Sequence, residues 1–180
     1  IDAVDCLVEE GLNVRLELLE GTQNSLVRER MHSADIVADQ LILAGYALTA
    51  LEGMASGLPV LTNLGNDSIL RVFRRYSFLN ECPILSTDPE SVLHNLRTLV
   101  TNPGLRRQLG EAGRLFVETY HSFAAAQFLF QSIYQYLESP GSVDLLSLYH
   151  PITGKYPGSG KRIEHPLIEN RLPTAGNGNS

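Results

Sequence analysis

Apolar residues Ile1, Val4, Leu7 and Val8 recur at helical spacing and the pattern stops at Gly11, which predicts an opening helix over Ile1 to Glu10. Val14, Leu16 and Leu18 then alternate with Arg15 and Glu17, the period-two pattern of a half-buried strand. Ser25 is placed to cap a helix reaching His32, with Arg28, Glu29 and Arg30 outward, and Asp35 to Ala38 reads as the next strand. Leu58 to Asn63 forms a third strand and Pro83-Ile84-Leu85 a short fourth. Between them, Asp67 or Ser68 starts a helix expected to turn Ile69, Leu70, Val72 and Phe73 inward. Three more helices follow: Pro89 to Val100 after a cap at Ser86, Thr87 or Asp88, then Pro103 or Gly104 to Tyr120, then Ser122 to Leu137. Strands alternating with helices predict an α/β fold with a doubly wound, Rossmann-like parallel sheet.

The segment Ala44 to Val60 joins a loop, a helix and a buried strand in one compact unit. Gly45 permits a tight turn before the helix, so the amides of Tyr46, Ala47 and Leu48 are expected to meet an anionic group. Glu52 lies about one turn further in, and a carboxylate there accepts hydroxyl hydrogen bonds. Gly57 closes the helix in left-handed geometry, and Pro59 prevents its continuation. Asp39 and Gln40 fall at a strand's carboxyl end, where open α/β sheets place their ligands.

Glu52-Gly53-Met54-Ala55-Ser56-Gly57-Leu58-Pro59-Val60, preceded by Ala34-Asp35-Ile36-Val37, resembles the GT-B glycosyltransferases of group 1, family-4-like type. The resemblance is to their nucleotide-sugar-binding C-terminal half, whose signature is Glu-Gly-Phe-Gly, four residues, then Glu-Ala-Met-Ala-x-Gly-x-Pro-Val. It implies that Glu52 takes the ribose hydroxyls. The signature's first glutamate falls on Ala44 and its second loop glycine on Ala47. Some relatives are similar in carrying Asp-Gln before Gly-x-Tyr-Gly, which implies that Asp39 or Gln40 lies near the donor sugar. Tyr46 and the loop Asn63 to Asp67 complete the expected site, and no catalytic residue is assigned.

Composition narrows the remaining classes. A net charge of -6 and a pI near 5.3 argue against nucleic acid as a partner, and no stretch is apolar enough to span a bilayer. Arg71, Arg74 and Arg75 are the one compact basic cluster, read either as a solvated face or as a contact for a diphosphate or acidic partner. Cys6 and Cys82 read as small core residues, and so few cysteines suit a cytoplasmic location. Five scattered histidines have no zinc spacing, so no metal is expected. The Asn66-Asp67-Ser68 sequon reads as a polar turn, and Pro157 to Arg162 lacks the glycine and hydroxyl positions of a phosphate-binding loop. Residues 139–180 hold six of the 15 glycines and five of the nine prolines and are expected to form an extended tail after a domain at 1–138. Tyr149-His150-Pro151 and Glu164-His165-Pro166-Leu167 are candidate clamps onto a partner domain. The aromatic residues Phe123, Phe128, Phe130, Tyr134 and Tyr136 serve either core packing or docking.

The chain begins abruptly and reads as a fragment, and the resemblance implies that its first β-α unit lies upstream. The resemblance implies a metal-independent, retaining hexosyltransferase whose donor is a nucleotide-diphosphate sugar, with no further cofactor. It also implies that an N-terminal GT-B domain, bearing the acceptor site and any peripheral membrane contact, is the missing partner, and that the chain alone is inactive. Two alternatives stand beside this: a non-catalytic Rossmann-like binding module, and a nucleotide-sugar epimerase of the same architecture.

Overall fold

The computed structural model describes residues 1–65, 67–150, 152–159 and 162–173. Three parallel strands, β1 (Val37–Ala38), β2 (Val60–Thr62) and β3 (Leu85–Ser86), lie in that order, with Val37 opposite Val60 and Leu61 opposite Leu85. Hydrogen bonds continue the ladder past the strand ends: Asp39 N donates to Leu61 O at 2.9 Å, Asn63 N to Gln40 O at 2.7 Å and Thr87 N to Thr62 O at 2.9 Å. The chain is therefore an α/β unit wound on both sides of a small parallel sheet, as expected.

Seven α-helices surround the sheet among the described residues: α1 (Asp2–Glu9), α2 (Asn24–Ser33), α3 (Leu48–Ala55), α4 (Asp67–Tyr76), α5 (Val92–Thr101), α6 (Pro103–Tyr120) and α7 (Phe123–Glu138). Val37, Val60 and Ile84 pack with Ala50 and Met54 of α3, Leu70 of α4 and Ala112 and Phe116 of α6. Leu61 and Leu85 instead pack with Leu99 of α5 and Leu105 and Leu109 of α6. Alternate strand residues thus feed two cores, the consequence of a period-two side-chain pattern in a sheet covered on both faces.

Several boundaries follow the sequence closely. Gly11 and Gly57 have φ of +83° and +76°, closing α1 and α3 as glycine can. Asn102 caps α6 through Leu105 N at 2.9 Å with Pro103 in its first turn, and Ser122 caps α7 through Ala125 N at 3.3 Å.

Other expectations are corrected. Val14 to Leu18 forms no strand: Leu16 and Leu18 are 46% and 67% exposed, and no neighbouring strand supplies the pairing that an isolated extended segment needs. Gln23 rather than Ser25 stands at the N-cap of α2, and α5 starts at Val92 because Asp88 and Ser91 close a turn before it, Ser91 N to Asp88 Oδ1 at 2.8 Å. In α4 only Leu70 of the four expected inward residues is buried, because that helix meets the core along one narrow edge. Cys82 is buried in the core, and Cys6 is half-buried.

The described residues after α7 fold back on the domain instead of forming an extended tail. Leu148, Tyr156, Ile163, Leu167 and Asn170 are buried against the domain. Asn170, at φ +64°, donates through Nδ2 to Cys82 O at 2.7 Å and Ile84 O at 3.1 Å, while its backbone oxygen accepts from Ser86 N at 2.7 Å. One asparagine in a left-handed turn so satisfies the free edge of β3, which would otherwise present unpaired groups. Tyr149 and Tyr156 join Phe128, Tyr120 and Phe78 in an aromatic cluster, with Phe78 stacked on Tyr120 at 4.5 Å. Tyr149 and Leu167 hence pack on this chain itself; Pro151, Gly160 and Lys161 lie outside the described residues.

Candidate functional site

The carboxyl ends of β1 and β2 gather Asp39, Gln40, Gly45, Thr62 and Asn63. Gln40 Nε2 donates to Gly45 O at 2.7 Å, and Gly45 N donates to Asn63 O at 2.8 Å. Asn63 Nδ2 reaches Leu41 O at 3.0 Å and Ile42 O at 3.3 Å, and its Oδ1 accepts from Gly65 N at 2.8 Å. Together these bonds pin the loop 41–47 across the end of β2. Gly45 has φ +123°, a conformation that side chains strongly disfavour, so glycine is required at this turn.

Thr62 was not singled out from the sequence, yet it sits at the hub. It is fully buried, with Oγ1 3.0 Å from Gln40 O, 3.2 Å from Gly45 O and 3.5 Å from Asp39 Oδ2. A hydroxyl has one proton, so it serves these three acceptors in turn. A threonine closing the apolar run Leu58 to Leu61 at a strand's carboxyl end was the only available signal.

Helix α3 starts at Leu48, three residues after Gly45. The amide of Ala47 does not stand free: it donates to Asp39 Oδ2 at 3.3 Å. A carboxylate of the chain itself therefore occupies the position where a helix N-terminus favours negative charge. Tyr46 packs against the core, edge-on to His121 at 6.3 Å, and burial pushes its hydroxyl well above the ordinary tyrosine range. Leu48 is 74% exposed, and Glu52, one turn along the same face, is exposed with no side-chain partner among the described residues. Glu52 lies about 6 Å along α3 from Leu48. The strand ends thus bring together Asp39, Gln40, Gly45, Ala47 and Asn63, set Glu52 one turn away on the open face, and turn Tyr46 inward.

Of the loop Asn63 to Asp67 and the Asn66-Asp67-Ser68 sequon, Asn66 lies outside the described residues. Within the basic cluster, Arg74 is tied down by Asn80 Oδ1 at 2.5 Å, Asn170 Oδ1 at 2.9 Å and Glu169 O at 3.1 Å, while Arg71 and Arg75 are exposed. No grouping of three or more His, Cys, Asp or Glu able to hold a metal is found among the described residues.

A shallow cleft of about 480 Å³ lies away from the strand ends, between α6 and the tail, lined in part by Gln108, Glu111, Leu115, Glu164 and His165. His165 Nε2 lies 3.2 Å from Asn80 O and its Nδ1 accepts from Leu167 N at 3.2 Å, and burial holds its pKa below the ordinary histidine value. Two carboxylates beside a neutral-leaning imidazole form a poor seat for a phosphate.

The family model described as glycosyl transferases group 1 matches residues 5–116, more than half of the chain, from α1 to near the end of α6. No curated protein and no solved structure matches.

Proposed function

The chain belongs to the glycosyl transferases group 1 family, and from that premise we propose that it is the donor-binding, C-terminal half of a metal-independent, retaining hexosyltransferase of GT-B type. Its activity class, glycosyl transfer, follows from the family; the donor, a nucleotide-diphosphate sugar, and the cytoplasmic setting belong to the proposal. In this reading Glu52 accepts hydrogen bonds from the ribose hydroxyls. Asp39 and Gln40 stand near the sugar, and Gly45, Tyr46, Ala47, Leu48 and Asn63 shape the loop around it. An N-terminal domain supplies the acceptor site and closes the cleft, and the chain alone does not catalyse transfer. Domain limits at 1–138, with 139–180 as an appended tail, are part of the same proposal.

One observation carries it: Glu52 stands exposed and unpartnered among the described residues, one turn from a loop fastened to the carboxyl ends of two parallel strands. A carboxylate left free on an open face can accept two sugar hydroxyls without first breaking an internal bond. Charge developing on a leaving diphosphate needs donors or cations, and Asp39 already takes the Ala47 amide. In this reading the diphosphate is held chiefly by residues outside this sequence rather than at the start of α3.

That same contact favours a second reading, a non-catalytic binding module. Ala44 lacks a carboxylate, and the Ala47 amide, one of the three expected to meet an anion, is satisfied internally. Calorimetric titration with UDP, GDP and ADP sugars, on this chain and on a version with its N-terminal half restored, separates the two. Binding lost in Glu52→Gln supports the transferase reading; absence of binding by the restored protein supports the module. Product analysis without acceptor would reveal an epimerase.

A further inference from the structure

The family match covers residues 5–116, so the last turn of α6 and everything after it lie beyond the match. That end of α6 nevertheless reaches the strand ends. A Cβ on Gly110 would touch the Gly57 backbone just past the carboxyl end of α3, whereas His121, the residue that closes α6, meets Tyr46 just ahead of the amino end of α3. The two helices therefore run antiparallel, and α6 delivers its end to the loop 41–47. There the His121 ring stands edge-on to Tyr46 at 6.3 Å and tilted on Phe116 at 5.5 Å. Ile42 and Leu43 of the loop are 81% and 70% exposed, while Tyr46 turns inward as an anchor and rests on His121.

The last carbonyls of a helix have no partner within it, and an end left in that state opens readily. The tail supplies what this end lacks. Tyr156 Oη donates to Thr119 O, and the Tyr156 ring lies 5.8 Å from that of Tyr120. Tyr120 Oη donates to Glu81 Oε2 at 2.9 Å, and the same oxygen accepts from Ile163 N at 3.1 Å. Tyr156 and Ile163 are 7% and 2% exposed, so this part of the tail is seated in the domain rather than laid over it. Thr119 and Tyr120 immediately precede His121, and an opening of their turn moves the ring on which Tyr46 rests.

We propose that the tail after α7 holds the loop 41–47 in place through the last turn of α6, with Tyr156 and His121 as positioning residues. Tyr156 closes the turn, His121 carries its position outward, and Tyr46 sets Gly45 to Leu48 against the strand ends. A segment outside the family match thus supports a loop inside it. That this loop meets a sugar nucleotide rests on the function proposed above; its support by the tail does not.

Amide exchange followed by NMR on the whole chain tests the proposal, with circular dichroism to check that each variant is folded. In Tyr156→Phe, which keeps the ring, exchange should quicken about fivefold at His121 N and Gly45 N, which are bonded to Val117 O and Asn63 O. Val37 N, bonded to Pro59 O behind the site, should not change. His121→Ala should quicken Gly45 by a similar factor, His121→Phe should restore it, and the combined Tyr156→Phe and His121→Ala variant should go no further than His121→Ala alone. Unmoved exchange at Gly45 in either single variant, additive effects in the combined one, or equal quickening at Val37 would each overturn the proposal. Calorimetry with UDP-glucose, GDP-mannose and ADP-glucose, on the version with its N-terminal half restored, should show about fivefold weaker binding in His121→Ala and recovery in His121→Phe. A loss that His121→Phe does not recover would make His121 a direct ligand contact and overturn its positioning role. No binding of any of the three would overturn the donor role given to the loop, a failure distinct from unmoved exchange at Gly45.

Discussion

The two ends of α3 are held by opposite means. At its carboxyl end, a Cβ added to Gly110 of α6 would lie 2.0 Å from Gly57 O, and one added to Gly113 would lie 3.0 Å from Met54 Cγ. Gly53 allows the middle of the helix to meet Val37 and Val60, where a Cβ would stand 3.1 to 3.2 Å from their side chains. At its amino end, Asp39, Gln40, Thr62 and Asn63 hold the preceding loop by hydrogen bonds, and Leu48 and Glu52 face outward. One end has no spare volume and the other has adjustable polar contacts. Rigid packing behind a polar edge holds α3, and with it the exposed Glu52 carboxylate, in place while the loop before it can adjust.

The largest expected effect lies in the packed end. Gly110→Val forces α6 away from the Gly57 backbone, which cannot rotate aside as a side chain would. A loss of about 3 kcal/mol or more is expected from overpacking, read as a lower urea midpoint; an unchanged midpoint would show that the α3–α6 seam is looser than described. Next comes Asn170→Ala, which leaves Cys82 O and Ile84 O without the Asn170 donor and places alanine at φ +64°. It should cost about 2 to 3 kcal/mol, with faster amide exchange along β3.

Thr62→Val sharpens the contrast from the polar side. The two carbonyls keep other donors, Gly45 O from Gln40 Nε2 and Gln40 O from Asn63 N. The expected loss is therefore only about 1 kcal/mol. Exchange at Gly45 and Asn63 should quicken while Leu58 and Val60 stay protected. Equal loosening at both ends would erase the distinction drawn between them.

The smallest effect is one of pH. His165 has its folded pKa held below the ordinary value by burial, so the packed tail favours the neutral ring. That contribution is complete above about pH 6.5 and is lost as pH falls through the depressed folded value. Protection factors of the Ile163 and Leu167 amides, which allow for slower intrinsic exchange in acid, should fall below about pH 6.5, and His165→Gln should remove the dependence.

Much of this was legible in the sequence wherever local chemistry decides the outcome. Gly11, Gly57, Pro103 and Ser122 mark helix ends by their own conformational and capping preferences, and the alternation of β and α segments fixes the winding. What could not be read depends on distant partners. Val14, Leu16 and Leu18 alternate like a strand, but pairing requires a neighbour. Ile69, Val72 and Phe73 have helical spacing, but only the tertiary fold determines that Leu70 alone points into the core. Asn170, in a Gly/Pro-rich segment, gave no sign that it would meet carbonyls some 86 to 88 residues earlier in the chain. At the site, Asp39 and Gln40 were placed by their position at a strand end, whereas the capture of the Ala47 amide by Asp39 required knowing how the loop folds back.

Chemical-shift mapping of backbone amides during titration with a nucleotide-diphosphate sugar tests the donor-site account most directly. Shifts centred on Gln40, Gly45 to Glu52 and Asn63, and abolished in Glu52→Gln, are the predicted result. Shifts confined to Gln108 to Leu115 and Ile163 to Leu167, around the cleft between α6 and the tail, would contradict it.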